Sequence, residues 1–204
     1  MSKVIKIDPI PKHFSITWNL GRRCNYDCMY CGADVHDNTS PHKDLETLQA
    51  NWVDIHNKTQ GHGRYKISFT GGEVTANKHF LPFVEWLRGN YSDIDQILTT
   101  TNGSATYDYY LRMFQVVDNI SFSTHSEHMD EERFFDTMIQ LKQNLPAGRH
   151  MHVNIMDEHW NRHRIPHYVE ILNGHGISNM VNSIDYSKQT RTVPILKGKL
   201  NLAI

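Results

Sequence analysis

An α/β fold with a mostly parallel sheet is predicted for this chain by two observations and bounded by a third. Segments that alternate like strands take turns with segments of helical spacing, the pattern of right-handed βαβ units. The polar and unusual residues gather just after the strands, where such folds place their sites. The length of 204 residues falls short of the roughly 250 typical of a closed eight-fold barrel. An open partial barrel or a doubly wound sheet is therefore expected.

Each element has its own local reason. HFSITWNL (13–20) alternates like a strand. Residues 44–59 put Leu45, Leu48, Trp52 and Ile55 on one helical face, with Ser40 or Asp44 as the cap. YKISFT (65–70) is a short strand ending at Gly71-Gly72-Glu73, and the helix that follows through 79–90 tolerates Pro82 near its first turn. Residues 95–103 read as a strand and turn, 106–117 as a helix, and 119–126 as a fourth strand. The helix over 130–145 has an acidic first turn, which suits the positive end of its dipole. A fifth strand (150–157), a helix with a glycine stop (164–176) and a sixth strand (177–186) complete the series. One domain is expected over 13–186, between an N-terminal extension (1–12) and a C-terminal tail (187–204) that lacks a period.

Hydrophobic residues make up 39% and charged residues 21%, and the net charge is −1 with histidine neutral. That is a globular composition, and nucleic acid is not expected as a partner. No apolar run of about 18 residues exists and the N-terminus has no apolar leader. A cytoplasmic protein without membrane association is the expectation, in a compartment that keeps thiols reduced.

All three cysteines, Cys24, Cys28 and Cys31, fall within the stretch CNYDCMYC. An odd, clustered set of thiols points to metal or redox chemistry rather than to disulfides. Zinc would accept three thiolates completed by a histidine such as His36 or His42. An iron–sulfur cubane is normally held by four thiolates, and three would leave one iron open to a substrate or cofactor.

The spacing C-x3-C-x-aromatic-C, with Tyr30 as the aromatic, resembles the signature of the radical S-adenosylmethionine (radical SAM) superfamily. Gly71-Gly72-Glu73 after the second strand, TTNG after the third, and the polar ends of the fourth and fifth extend the likeness over about 13–186. The resemblance implies a partial (βα)6-type TIM barrel, open on one side. It also implies a 4Fe-4S cluster on Cys24, Cys28 and Cys31, with S-adenosyl-L-methionine chelating the open iron. One electron would then cleave the sulfonium to methionine and a 5′-deoxyadenosyl radical that abstracts hydrogen from a substrate.

By the same resemblance, Gly71, Gly72 and Glu73 serve the methionine ammonium, and the backbone of Tyr30 contacts the adenine. Ser123 and Asn154 serve the ribose hydroxyls or the methionine carboxylate, and Thr100 and Asn102 are further cofactor-binding candidates. His125 is expected near the substrate, as a binding group, a proton donor or a solvated loop histidine. His36, Asp37 and His42 lie in the loop after the cysteines and read as a polar surface loop or as a cover over the pocket. Val74 stands where the family commonly has proline, which leaves the acceptor role of Glu73 in place. A one-electron donor such as flavodoxin or ferredoxin is expected as a partner; Arg22 and Arg23, beside the cysteines, read either as the place that receives an acidic donor or as two exposed arginines that need no partner.

The expected substrate is a small or nucleotide-like molecule; a peptide or protein substrate, including glycyl-radical activation, is the second reading. A non-catalytic zinc or iron–sulfur binding module is the reading from another class. No cysteine follows Cys31, so auxiliary clusters and a cysteine hydrogen donor are not expected.

Overall fold

The computed structural model describes residues 13–32 and 34–186. The expected N-terminal extension and C-terminal tail lie outside the described residues. Six strands, β1 (His13–Asn19), β2 (Arg64–Thr70), β3 (Ile94–Thr101), β4 (Asn119–Ser123), β5 (His150–Asp157) and β6 (Ser178–Ser183), form one sheet. The helices between them are α1 (Leu45–Thr59), α2 (Phe80–Asn90), α3 (Tyr107–Val116), α4 (Glu131–Gln143) and α5 (Ile165–Gly174).

Spatial order equals chain order, β1-β2-β3-β4-β5-β6, and every neighbouring pair is parallel. A doubly wound sheet would reverse direction at a switch point. Here each crossover continues the same way, and no pairing joins β6 to β1 among the described residues. The architecture is the open partial barrel.

Strand alternation divides the sheet into two unlike faces. Trp18, Tyr65, Ile67, Phe69, Ile97, Ile120, Phe122 and Val153 are buried on the convex side beneath the helices. Aromatic edges interlock there: Trp18 meets Phe83 with centroids 5.5 Å apart, and Tyr110 meets Phe122 at 5.0 Å. Each such side chain contributes about 1.5–3 kcal/mol by burial. The concave face is polar. Register aligns Thr17 with Ser68, Thr100 with Ser121, and Ser121 with His152, and none of these is fully buried.

Caps and braces follow from local chemistry. Asp44, rather than Ser40, caps α1 by accepting from the Thr47 amide at 2.8 Å; Ser40 is committed to Asp37. At the end of the sheet away from the cysteines, Asp118 accepts from the Ile97 amide at 2.7 Å and pairs with the guanidinium groups of Arg88 and Arg149. That face holds the barrel together rather than doing chemistry.

β6 is shorter than the expected 177–186, and two further differences bear on the site. β4 ends at Ser123 rather than 126, because Thr124 Oγ1 accepts from the Met156 amide at 3.0 Å and the chain then turns. A short 3₁₀ turn (Val74–Ala76) precedes α2, capped by Glu73. No helix among the described residues is long and apolar enough to cross a membrane.

Candidate active site

The cysteine loop reaches its place through glycine. Beyond β1 and β2 the two chains stay side by side: the Gly72 amide donates to the Gly21 carbonyl at 2.8 Å, and the Glu73 amide to the Arg23 carbonyl at 3.0 Å. A Cβ on Gly72 would sit 2.1 Å from the Arg23 carbonyl oxygen, and Gly71 has φ +135 with its own Cβ position 2.6 Å from the Gly21 oxygen. Only glycine permits that approach and that backbone conformation. The Gly-Gly pair therefore sets where Cys24 begins.

The loop is then clamped from two sides. On one, the Cys24 amide donates to the Asp37 carbonyl at 2.9 Å, and His36 Nε2 donates to the Tyr26 carbonyl at 2.5 Å. On the other, the turn after β4 supplies acceptors: the Asp27 amide donates to His128 Nε2 at 3.3 Å and the Met29 amide to Glu127 Oε2 at 3.0 Å. His125 Nδ1 lies 3.7 Å from Cys28 Sγ and meets the Tyr30 hydroxyl. Asn102 Nδ2 donates to Asn25 Oδ1 at 2.9 Å, tying the loop to the end of β3.

The result is one cavity of about 200 Å³ at the carboxyl rim of the sheet, faced by all three cysteines. Cys28 is 4% exposed and the other two are half-buried. Burial pushes all three thiols up in pKa, and for Cys28 the neighbouring Cys31 and Cys24 add to it. Three clustered thiols, one buried and two half-buried, ionise together only against a strongly positive centre. A metal cluster meets that requirement, so the donor set fits a three-thiolate iron–sulfur site. A zinc completed by His36 fits poorly, since its Nε2 is engaged with Tyr26 and its Nδ1 faces Asp27 at 3.8 Å.

Glu73 is 3% exposed and already accepts from four donors. The Thr75 amide (2.9 Å), the Thr75 hydroxyl (2.7 Å) and the Thr101 hydroxyl (2.7 Å) reach Oε1, and the Asn102 amide (2.6 Å) reaches Oε2. Burial raises its pKa while the Asn102 and Thr75 bonds act the other way. Its carboxylate is thus a brace between the ends of β2 and β3 as well as part of the cavity wall. Glu73→Gln replaces an acceptor with a donor against this set; a loss of about 1–3 kcal/mol in urea unfolding is expected.

Of the sequence-derived candidates, Gly71, Gly72, Glu73, Thr100, Asn102, Ser123 and His125 line the cavity with the cysteines. Burial and the nearby His128 lower the pKa of His125 to about 4, so it is neutral near pH 7. Tyr30 is not among the lining residues; its ring stacks on His125 with centroids 5.9 Å apart. Asn154 is also outside the lining, its Oδ1 accepting from Asn182 Nδ2 of β6 at 3.0 Å. Tyr26 and Thr101 line the cavity without having been singled out from the sequence. Glu127 and His128, the loop clamps, were visible there only as part of a polar strand end.

Comparison with known proteins decides the family. The radical SAM superfamily model matches residues 18–145. The chain belongs to the radical SAM superfamily. Among curated relatives of this radical SAM chain, GTP 3′,8-cyclase of Campylobacter jejuni subsp. doylei is 31% identical over 91 residues, covering 45% of this chain and 28% of the cyclase. The Pasteurella multocida GTP 3′,8-cyclase is 38% identical over 93 residues, covering 45% and 27%. The radical SAM chain thus matches under a third of the length of these relatives. Streptococcus suis SuiB bound to the precursor peptide SuiA superposes with a TM-score of 0.65 at 13% identity, over 90% of this chain and 43% of SuiB. At that identity the likeness is one of fold.

Proposed function

We propose that this chain generates a 5′-deoxyadenosyl radical from S-adenosylmethionine and directs it at a polar, nucleotide-like small molecule. The observation that carries the reading is the convergence of Cys24, Cys28 and Cys31 on one cavity at the rim of a polar concave sheet. Bound there by the three thiolates, a 4Fe-4S cluster supplies the electron that cleaves the sulfonium of S-adenosylmethionine.

The chain's own residues do the rest. Gly71, Gly72 and Glu73, with Asn102 and Ser123, line the wall against which the methionine and ribose parts rest. Asn102 couples that wall to the cysteine loop through Asn25, so wall and loop keep one geometry. On its sheet side the cavity is walled by the buried Glu73, Thr101, Asn102 and Ser123, and a primary alkyl radical formed there has to be kept from side reactions. Below it, Ser15, Thr17, Ser68, Gln96, Ser121 and His152 give the concave face hydroxyl, amide and imidazole groups, with Lys66 and Leu98 among them. A ligand rich in hydroxyl and amide groups suits that surface, and the likeness to GTP 3′,8-cyclases over 45% of the chain supports a nucleotide among such ligands.

The test is hydrogen transfer. The reduced, reconstituted protein is incubated with S-adenosylmethionine and deuterated cell-extract fractions, and 5′-deoxyadenosine is analysed for label. Deuterium arriving from the nucleotide fraction is expected. Label arriving from a peptide fraction instead would replace the substrate class with a peptide.

A further inference from the structure

The turn after β4 carries a carboxylate to the thiols. The His128 and Met129 amides donate to the His125 carbonyl at 2.9 and 2.8 Å, and the Ser126 amide donates to Glu158 Oε2 at 3.0 Å. Those bonds fix the turn, and Glu127 leaves it pointing at the cysteine loop, where its Oε2 accepts from the Met29 amide at 3.0 Å. One carboxylate oxygen of Glu127, one ring nitrogen of His128 and Cys28 Sγ all lie within 4.8 Å of one another.

No cation answers that carboxylate. Among the described residues no lysine or arginine pairs with Glu127; the basic side chain within 4 Å is that of His128, with Nε2 at 3.8 Å from Oε1. The same Nε2 accepts from the Asp27 amide at 3.3 Å, so it carries no proton and the ring is neutral. Stacking on Tyr26, with centroids 5.3 Å apart, holds the ring in place. The Glu127 side chain is 24% exposed, so water screens its charge only in part.

Two backbone donors are diverted as well. Asp27 and Met29 flank Cys28 in the chain, and both amides are spent on side chains of the turn. The potential of an iron–sulfur cluster depends on the charge around it and on hydrogen bonds to its sulfurs.

We propose that Glu127 sets the reduction potential of a cluster held by Cys24, Cys28 and Cys31, keeping it low enough to reduce a sulfonium. The inference rests on the radical-enzyme reading above. An added electron makes the cluster more negative, and a fixed carboxylate beside Cys28 opposes that addition. Once reduced, the cluster is a correspondingly stronger one-electron donor. Spending the Met29 amide on the carboxylate works in the same direction, since that donor is withheld from sulfur. Glu127 is thus a positioning residue that acts through charge and through the loop backbone.

The reconstituted full chain is titrated with titanium(III) citrate in the presence of redox mediators, and the reduced cluster is counted by electron paramagnetic resonance. Glu127→Gln removes the charge, while its amide oxygen can still accept from Met29. It is expected to raise the midpoint potential by about 59 mV, a tenfold shift in a one-electron equilibrium. Glu127→Asp keeps the charge and should stay within about threefold of the unaltered protein. Asp54→Asn on α1, whose exposed carboxylate pairs with Lys58, should shift the equilibrium by less than about twofold. Iron content and circular dichroism should be unchanged in all three.

An unchanged potential in Glu127→Gln, with iron retained, overturns the proposal. Loss of iron in that variant overturns it too, because Glu127 would then help to hold the metal rather than set its potential. An equal shift in Asp54→Asn would assign the effect to overall charge, with the same consequence. If the unaltered protein takes up no four-iron cluster, it is instead the radical-enzyme reading that falls.

Discussion

Cys28→Ala is expected to lower 5′-deoxyadenosine formation by more than about 100-fold, beyond the 10–100-fold typical of losing a supporting contact around a metal site. Cys28 is the most buried of the three thiols and sits between Cys24 and Cys31 in the loop. Its neighbours on the other side, His125 at 3.7 Å and the Tyr30 hydroxyl beside it, offer no thiolate to replace it. The rest of the loop is held by its backbone amides, which donate to His128 Nε2, Glu127 Oε2 and the Asp37 carbonyl, so the variant should keep its circular dichroism spectrum. Loss of iron with the fold retained is the signature to look for. A variant that keeps both iron and turnover would remove Cys28 from the ligand set.

Gly72→Ala is the second large effect. The new Cβ would lie 2.1 Å from the Arg23 oxygen and 2.4 Å from its carbonyl carbon. Both are backbone atoms, so relief requires residues 21–24 to move as a unit, and the Glu73–Arg23 and Gly72–Gly21 bonds would stretch with them. Overpacking of this kind costs about 1–3 kcal/mol, and a shift near 1 Å in a reacting group costs about 100-fold in rate. A melting-temperature drop together with a rate loss of that order is expected. Gly89→Ala in α2, where nothing lies within 4 Å of the added Cβ, serves as the contrast; it should stabilise by about 0.5–1 kcal/mol.

The six strands and five helices were legible because hydrophobic spacing is strong here. Tyr65, Ile67 and Phe69 alternate cleanly, and Leu48 and Trp52 keep helical spacing. The cysteine loop and the glycine pair were legible because their chemistry is tied to residue type. What escaped the sequence depends on tertiary contacts. Residues 124–126 continue the alternation of β4, and bonds from the Met156 amide to Thr124 Oγ1, from the Ser126 amide to Glu158, and from the His128 and Met129 amides to the His125 carbonyl turn them away to clamp the cysteine loop. That turn is why His125 packs against Cys28 and Tyr30.

Glu73 was legible as an acceptor, but its saturation was not, since Thr75, Thr101 and Asn102 come from two different strand ends. Asn154 looks like any other polar strand end until Asn182 pairs with it across β6.

The central claim is that three thiols on one cavity hold a cluster able to cleave S-adenosylmethionine. Anaerobic reconstitution with iron and sulfide, followed by reduction in the presence of S-adenosylmethionine, tests it most directly. About four irons per chain and 5′-deoxyadenosine accumulating with time are predicted. A single tightly held zinc, with neither cluster absorbance nor 5′-deoxyadenosine, would contradict it.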